Sequence, residues 1–392
     1  MAEISSALRD SGATAPSLTD TDGGRAYDAI LVVSFGGPDG PDDVMPFLEN
    51  VLRGRNVPRE RMLEVAEHYY HFGGVSPING QNRALIAALE QELAAHGPHL
   101  PVYFGNRNWH PLLPDTIRKM RDDGVRRALA FFTSAFSSYS GCRQYRENLA
   151  AARELVGPDA PEIDKLRVFF NHPGYVEPLG QMLAECVAKI PAERRDATQI
   201  LFTAHSIPLS MAANCRYEAQ LKEACRLIAA AANVPGWRLV YQSRSGPPQQ
   251  PWLEPDICVT LRELHAQGTR DAVIIPVGFI SDHMEVLYDL DIEALDVCKA
   301  VGINLVRCPT IGTHPRFVRM IRELIEERLS PNPVRLALGE MGPSHDVCPI
   351  DCCKYEPQRP PGVGAGPGGR PGGPPSAPPG AGPAVGQRPS GS

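Results

Sequence analysis

Short apolar runs alternate along this chain with longer stretches whose apolar residues recur every three or four positions. Ala29–Phe35 reads AILVVSF and is halted by Gly36, Gly37 and Pro38, the pattern of a buried strand running into a turn. Helical periodicity follows over Asp42–Leu52, Arg59–Phe72 and Asn82–Ala95. Val102–Phe104 predicts a strand, Asp115–Asp122 a helix, Ala128–Thr133 a strand and Arg143–Leu155 a helix. The alternation then restarts. Strands are expected at Leu166–Phe170, Ile200–Thr203, Leu239–Gln242, Ala272–Val277 and Leu305–Arg307. Each is followed by a helical stretch: Val176–Ile190, Tyr217–Ala232, Ile257–His265, Met284–Cys298 and Arg316–Arg328.

Strands that alternate with helices imply parallel sheets covered on both faces. The expected fold is α/β, with two doubly wound, Rossmann-like domains whose parallel sheets are flanked by helices. The first is placed at 27–160 and the second at 161–330, followed by a cysteine-containing extension at 331–355. Residues 1–26 are mostly small and polar, and 356–392 are largely Pro and Gly. Both are expected to be disordered, because they bury too little apolar surface to offset chain entropy. In open α/β sheets ligands sit beyond the carboxyl ends of the strands, so the cleft between the domains is the expected active site. No GxGxxG or P-loop pattern follows the first strand, which disfavours nucleotides.

Composition narrows the partners. Net charge is −6 and no long Lys/Arg block appears, so nucleic-acid binding has no electrostatic footprint. No apolar run is long enough to span a bilayer, and the first residues lack an apolar signal core. A cytoplasmic chain is expected, with nothing pointing to an obligate oligomer and a monomer therefore expected. Its ten cysteines should then be mostly reduced. Seven are scattered, as small buried hydrophobes usually are, while Cys348, Cys352 and Cys353 crowd together.

The candidate chemistry lies where strands end. Ile200–Pro208 (ILFTAHSIP) runs an apolar strand into His205, which either fills an interface or offers an imidazole able to accept a proton. Ile274–Glu293 (IIPVGFISDHMEVLYDLDIE) ends a strand and opens a helix whose Glu285, Asp289 and Glu293 fall on one face. Two readings stand side by side. Asp282 and Glu285 could form a capping box with a solvated acidic face beyond it. Alternatively, the stripe hands a hydrated divalent cation to Glu285, since oxygen ligands suit hard cations in a weak site. Tyr241–Pro255 (YQSRSGPPQQPWLEP) is a Gly/Pro-rich loop whose Trp252 can stack on a flat ligand or simply pack.

FTAHSIP, YQSRSGP with PWLEP, and FISDHMEVLYDLDIE resemble the signature segments of ferrochelatases. So do SFGGP at Ser34–Pro38, FGGVSPI at Phe72–Ile78 and GNRNWHP at Gly105–Pro111, in the family's order over roughly residues 27–330. The resemblance implies a chelatase-like fold and insertion of Fe2+ into a porphyrin for haem biosynthesis. It implies His205 as proton acceptor or metal contact and Glu285 as its acid/base and metal-handling partner, with Asp289 and Glu293 as further candidates. Phe35 stands where some soluble relatives carry Tyr and has no oxygen to ligate iron, so it is expected to pack against the macrocycle. Arg53, Arg55, Ser76 and Tyr145 resemble the propionate-contacting positions of soluble Gram-positive-type enzymes, with a solvated basic helix end as the other reading of Arg53 and Arg55. They favour coproporphyrin III, with four propionates, over protoporphyrin IX with two. A downstream haem-pathway enzyme would take the product. The competing readings are a chelatase for Co2+ or Ni2+ and a non-catalytic porphyrin carrier or iron–sulfur sensor.

Some ferrochelatases hold a [2Fe–2S] cluster with three C-terminal cysteines and one from the first domain. Cys348, Cys352 and Cys353, with Cys142 of SYSGCRQYREN, resemble those four positions. A structural Zn2+ on the same thiolates, or unused thiols, are the alternatives.

Overall fold

The computed structural model describes residues 26–54 and 57–355. Apart from Ala26, the two terminal segments expected to be disordered lie outside the described residues, as does Arg55. The first half contains β1 (Ala29–Ser34), α1 (Val44–Val51), α2 (Arg59–His71), α3 (Pro77–His96), β2 (Val102–Asn106), α4 (Leu113–Asp122), β3 (Arg127–Phe132), α5 (Gln144–Val156) and β4 (Glu162–Lys165). The second contains α6 (Pro173–Ala188), β5 (Gln199–His205), α7 (Leu209–Ala212), α8 (Tyr217–Ala231), β6 (Arg238–Gln242), α9 (Ile257–Ala266), β7 (Asp271–Ile275), α10 (Met284–Val286), α11 (Leu295–Val301), β8 (Asn304–Arg307) and α12 (Pro315–Leu329).

Two parallel four-stranded sheets result, ordered β2-β1-β3-β4 and β6-β5-β7-β8. Their central strands are buried on both faces, which is why they read as continuous apolar runs rather than as alternation. In β1, Ala29, Leu31 and Val33 pack outward beneath α4 and α5, while Ile30 and Val32 face inward. In the second sheet Leu201, Ala272 and Ile274 lie under α9, and Phe202, Ala204, Val273 and Ile275 face inward. The inward faces of both sheets belong to one continuous core that includes residues of α3, α6, α8 and α12.

The last helix closes that core across the molecule. α12 packs on both α3 and α6, and its Arg322 pairs with Glu92 of α3 at 2.8 Å. The two halves are thus a pair of sheets on a shared core. The strand expected at Leu166–Phe170 is displaced: the edge strand is Glu162–Lys165, and Leu166 makes the last ladder bond, to the Ala130 carbonyl at 2.8 Å. Leu166, Val168, Phe169 and Phe170 are apolar because the shared core buries them, not because they pair in a sheet, and Arg167 between them is buried against Glu327.

Beyond α12 the extension runs as a strap. Leu338 N–H donates to the Asn171 carbonyl (2.8 Å), and the Asn171 amide donates to the Gly342 carbonyl (2.8 Å). Arg167, almost wholly buried, pairs with Glu327 at 2.7 Å and donates to the Leu336 carbonyl at 2.8 Å. Among the described residues no helix is long and apolar enough to cross a membrane.

Candidate active site in the cleft

β5 delivers His205 at its carboxyl end, where it pairs in register with Gln242 of β6. The Tyr217 hydroxyl donates to the His205 carbonyl at 3.0 Å. The ring's Nδ1 lies on the Ser206 carbonyl, so Nδ1 carries a proton there and Nε2 is turned toward Glu285, 3.5 Å from Oε2. The loop after β7 supplies the partner. It can press against β5 because Gly278 has no side chain: a Cβ there would sit 2.8 Å from the Ala204 Cα.

The capping-box reading of that loop does not hold. His283 occupies the cap position with extended backbone and makes no side-chain cap, while Asp282 is bound by Arg307 at 2.5 Å and by Gln81, whose side chain accepts from the Asp282 N–H at 2.8 Å. With its proposed capping partner engaged elsewhere, Glu285 projects half-exposed into the cleft. The helix also departs from α geometry: Leu287–Ala294 is a π segment, whose wider turns often mark functional sites. Asp289, on this segment, accepts from the Ser243 hydroxyl and from the Gln242 amide (3.2 Å). Glu293 lies further along and is exposed.

The charges interlock. Burial would lower the His205 pKa, but the hydrogen bond and charge of Glu285 outweigh it and raise the imidazole above its ordinary value. Confinement would raise Glu285, yet His205, followed by His283 and His68, draws it down to about 2. The pair therefore favours imidazolium and carboxylate, and the neutral imidazole expected from sequence requires a proton to leave. Asp289 is pushed up to about 7 by burial and by the neighbouring carboxylates of Glu285 and Glu293, against the Ser243 hydrogen bond. Burial, followed by Asp256, raises Glu293 as well.

Groups of the first half come near Glu285, whose charge is felt at His68 and Tyr69 of α2. Phe35, just past β1, is 37% exposed and rests edge-on against Phe47 at 6.3 Å. The Arg107 guanidinium lies 5.6 Å from the Phe35 ring and 4.5 Å from that of Tyr145. His68 of α2 stacks on Tyr288 of the π segment at 3.6 Å and 9°, so the two halves touch across the cleft.

Other expected positions fall less simply. Arg53 is exposed beyond α1, whereas Ser76 and Tyr145 are buried (3% and 5% exposed), Ser76 lying against Gly37. Trp252 packs over Gly246 of its own loop, where a Cβ would meet its ring at 2.4 Å, and bridges to Pro208. Sequence reasoning missed His68, Tyr288 and Arg107. Arg107 and Tyr288 stood in quoted motifs without a role, and neither His68 nor Tyr288 carries a local signal of their stack, because that contact is tertiary.

A second cluster joins the strap to the first half. Cys142, buried in the π turn Tyr139–Arg143, shares a hydrogen bond with Cys348. Cys352 lies 3.7 Å from Cys353. The sequence did not single out His345, whose Nε2 is 3.8 Å from the Cys352 sulfur. Donor atoms of His345, Cys348 and Cys352 all lie within 4.8 Å of one another. Hydrogen bonds from Cys142, Cys352 and His345, with the charge of Lys165, outweigh burial and hold the Cys348 thiol well below its ordinary value. Arg146, whose charge reaches Cys353, has a buried Nη1 without a hydrogen-bond partner. Arg143 donates to the carbonyls of Ile350 (2.8 Å) and Cys352 (3.1 Å). Converging thiols beside an unsatisfied buried guanidinium suit an anionic, thiolate-ligated group.

Comparison with known proteins supplies the remaining observation. Residues 27–329 match the family model described as ferrochelatase. A ferrochelatase of Rhodopirellula baltica is 59% identical over 342 residues, covering 87% of this chain and 97% of that protein. A coproporphyrin III ferrochelatase of Streptomyces coelicolor is 52% identical over 361 residues (86% and 96% covered). One from Mycolicibacterium smegmatis is 52% identical over 317 residues (80% and 93% covered).

Proposed function

The chain belongs to the ferrochelatase family, and from that premise we propose that it inserts Fe2+ into coproporphyrin III, giving Fe-coproporphyrin for haem synthesis. The observation that carries the reading is the His205–Glu285 pair, 3.5 Å apart, with His205 ending β5 and Glu285 following the loop after β7. The reaction exchanges two pyrrole N–H protons for Fe2+ and moves no net electrons. Four groups on one wall can carry the protons and the cation. His205, once neutral, takes a pyrrole proton or contacts the metal, and Glu285 serves as its acid/base partner. Asp289, poised near neutrality, and Glu293 lead protons or the hydrated cation along the π segment. Phe35, lacking an oxygen, lies against the ring face, and binding of the ring periphery forces the distortion that metal insertion needs.

The substrate assignment draws on the relatives that act on coproporphyrin III and on the charge demand of four propionates. Arg53 is an exposed cation suited to that role, and Arg55 joins it from the sequence reading. Ser76 and Tyr145 rest on the resemblance alone, since both side chains are buried. The ten cysteines, all free thiols, accord with a cytoplasmic setting.

The cysteine site would hold a [2Fe–2S] cluster on Cys142, Cys348, Cys352 and Cys353. Bound there, the cluster would supply a cross-link and a one-electron redox centre that metal insertion does not consume. Cys142→Ser is expected to remove the cluster's visible absorbance. The decisive assay is metal insertion by the purified chain with coproporphyrin III and protoporphyrin IX side by side. Faster turnover of coproporphyrin supports the reading. Preference for protoporphyrin keeps the enzyme but overturns the propionate assignment, and tight binding without turnover would make the chain a carrier.

A further inference from the structure

We propose that His345 donates a hydrogen bond to the thiolates of the C-terminal cysteine site and thereby raises the reduction potential of the cluster held there; this rests on the [2Fe–2S] reading. Four thiols already meet the ligand count of such a cluster, and His345 is the fifth donor in the group. Its Nε2 faces the Cys352 sulfur at 3.8 Å. A metal-bound thiolate can only accept, so the imidazole must present its N–H.

The position is built rather than incidental. Arg335 fixes both neighbours of His345: it donates to the Ser344 carbonyl at 2.5 Å and pairs with the Asp346 carboxylate at 3.1 Å. Arg328 lies 4.0 Å from the same carboxylate. On the other side Arg143 holds the carbonyls of Ile350 and Cys352. The imidazole and the thiol it faces are therefore anchored by separate arginines, and their approach does not depend on a bound group. His345 is exposed, whereas Cys348 and Cys352 beside it are partly buried.

One-electron reduction adds a negative charge to the cluster. An N–H aimed at a ligating sulfur stabilises the reduced form more than the oxidised one, which is how hydrogen bonds to sulfur raise such potentials. Loss of the donor should therefore lower the potential without removing a ligand.

The test uses the full chain as purified, in wild-type, His345→Leu, His345→Ala and His345→Gln forms. Iron and acid-labile sulfide are measured first, then the midpoint potential by mediated titration with dithionite. The expected result is unchanged iron and sulfide in every form, a midpoint shifted negative in the Leu and Ala variants, and recovery of most of the shift by Gln, which retains a donor. An unchanged midpoint in the Leu and Ala variants overturns the proposal. Loss of iron or an altered cluster spectrum in them overturns it too, by making His345 a ligand. A wild-type chain that carries zinc, or no iron, overturns the cluster reading and this inference with it.

Discussion

His205 and Glu285 lie 3.5 Å apart, and in the proposed reaction a proton held on the imidazole would have to leave before Fe2+ could take its place. The imidazole pKa is raised by its carboxylate, so below that value His205 is charged and cannot accept a proton or bind a cation. The sign follows: kcat/KM for Fe2+ should fall as pH drops through the raised imidazole pKa and level off above it. Glu285→Gln removes the group that holds the imidazole up, so the acidic limb of the profile should move to lower pH while the overall rate falls. A profile measured from pH 5 to 9 whose acidic limb stays in place would show that this pair is not the titrating unit. His205→Ala should cost about 10²–10⁴ in rate, the usual worth of one positioned acid/base group. The strand ends made both residues candidates and the resemblance gave them their proposed roles, while the structure brings the two side chains together. His68, Tyr288 and His345 were not legible in the sequence, since each gains meaning only from a partner far away in the chain or from the path of the strap.

At the scale of elements, the loop between β7 and the π segment positions the acidic stripe. Asp282 looked like a helix cap in sequence because the capping box is a local pattern. The ion pair with Arg307 at 2.5 Å that replaces it joins residues 25 apart, and no local pattern announces it. The π segment was equally hidden: residues four apart share a face in both helix types, so Glu285, Asp289 and Glu293 read the same either way. Gly278 is the tight point of the loop. Gly278→Ala would place a methyl group 2.8 Å from the Ala204 Cα, one residue from His205. The loop must then lift from β5, at a cost of about 1–3 kcal/mol in stability, typical of overpacking. Glu285 would move away from His205 with it. Denaturant unfolding should show the loss, and the metal-insertion rate should fall by more than the folded fraction does. A variant of reduced stability with full activity per folded molecule would separate the loop's packing from its positioning role.

Across the whole molecule, the alternation of strands and helices made both parallel sheets legible, but not the way they are joined. Apolar periodicity says that a helix face is buried without saying against what, so the packing of α12 on both α3 and α6, over a core common to both sheets, was not legible. Beneath that closure sits the Arg167–Glu327 pair, with side chains 1% and 4% exposed. Arg167 comes from the segment entering the second half and Glu327 from α12, and Arg167 also donates to the strap at Leu336. One pair thus ties the crossing segment, the last helix and the extension together. Glu327→Gln leaves a buried guanidinium without its counter-charge, which should cost about 3–5 kcal/mol. Because the core is continuous, the loss should appear as an earlier unfolding transition that both halves share. The strap should loosen in the same variant, since Arg167 would no longer be held toward Leu336. Hydrogen exchange would then show faster amides at Leu338 and in α12 together. Cys142→Ser should behave differently: the bonds of Asn171, Arg167 and Arg335 hold the strap to Asp346 without the cysteines, so faster exchange should begin only past that residue. Faster exchange along the whole of 331–355 in Cys142→Ser would mean that the cysteine site, not the buried pair, fastens the extension.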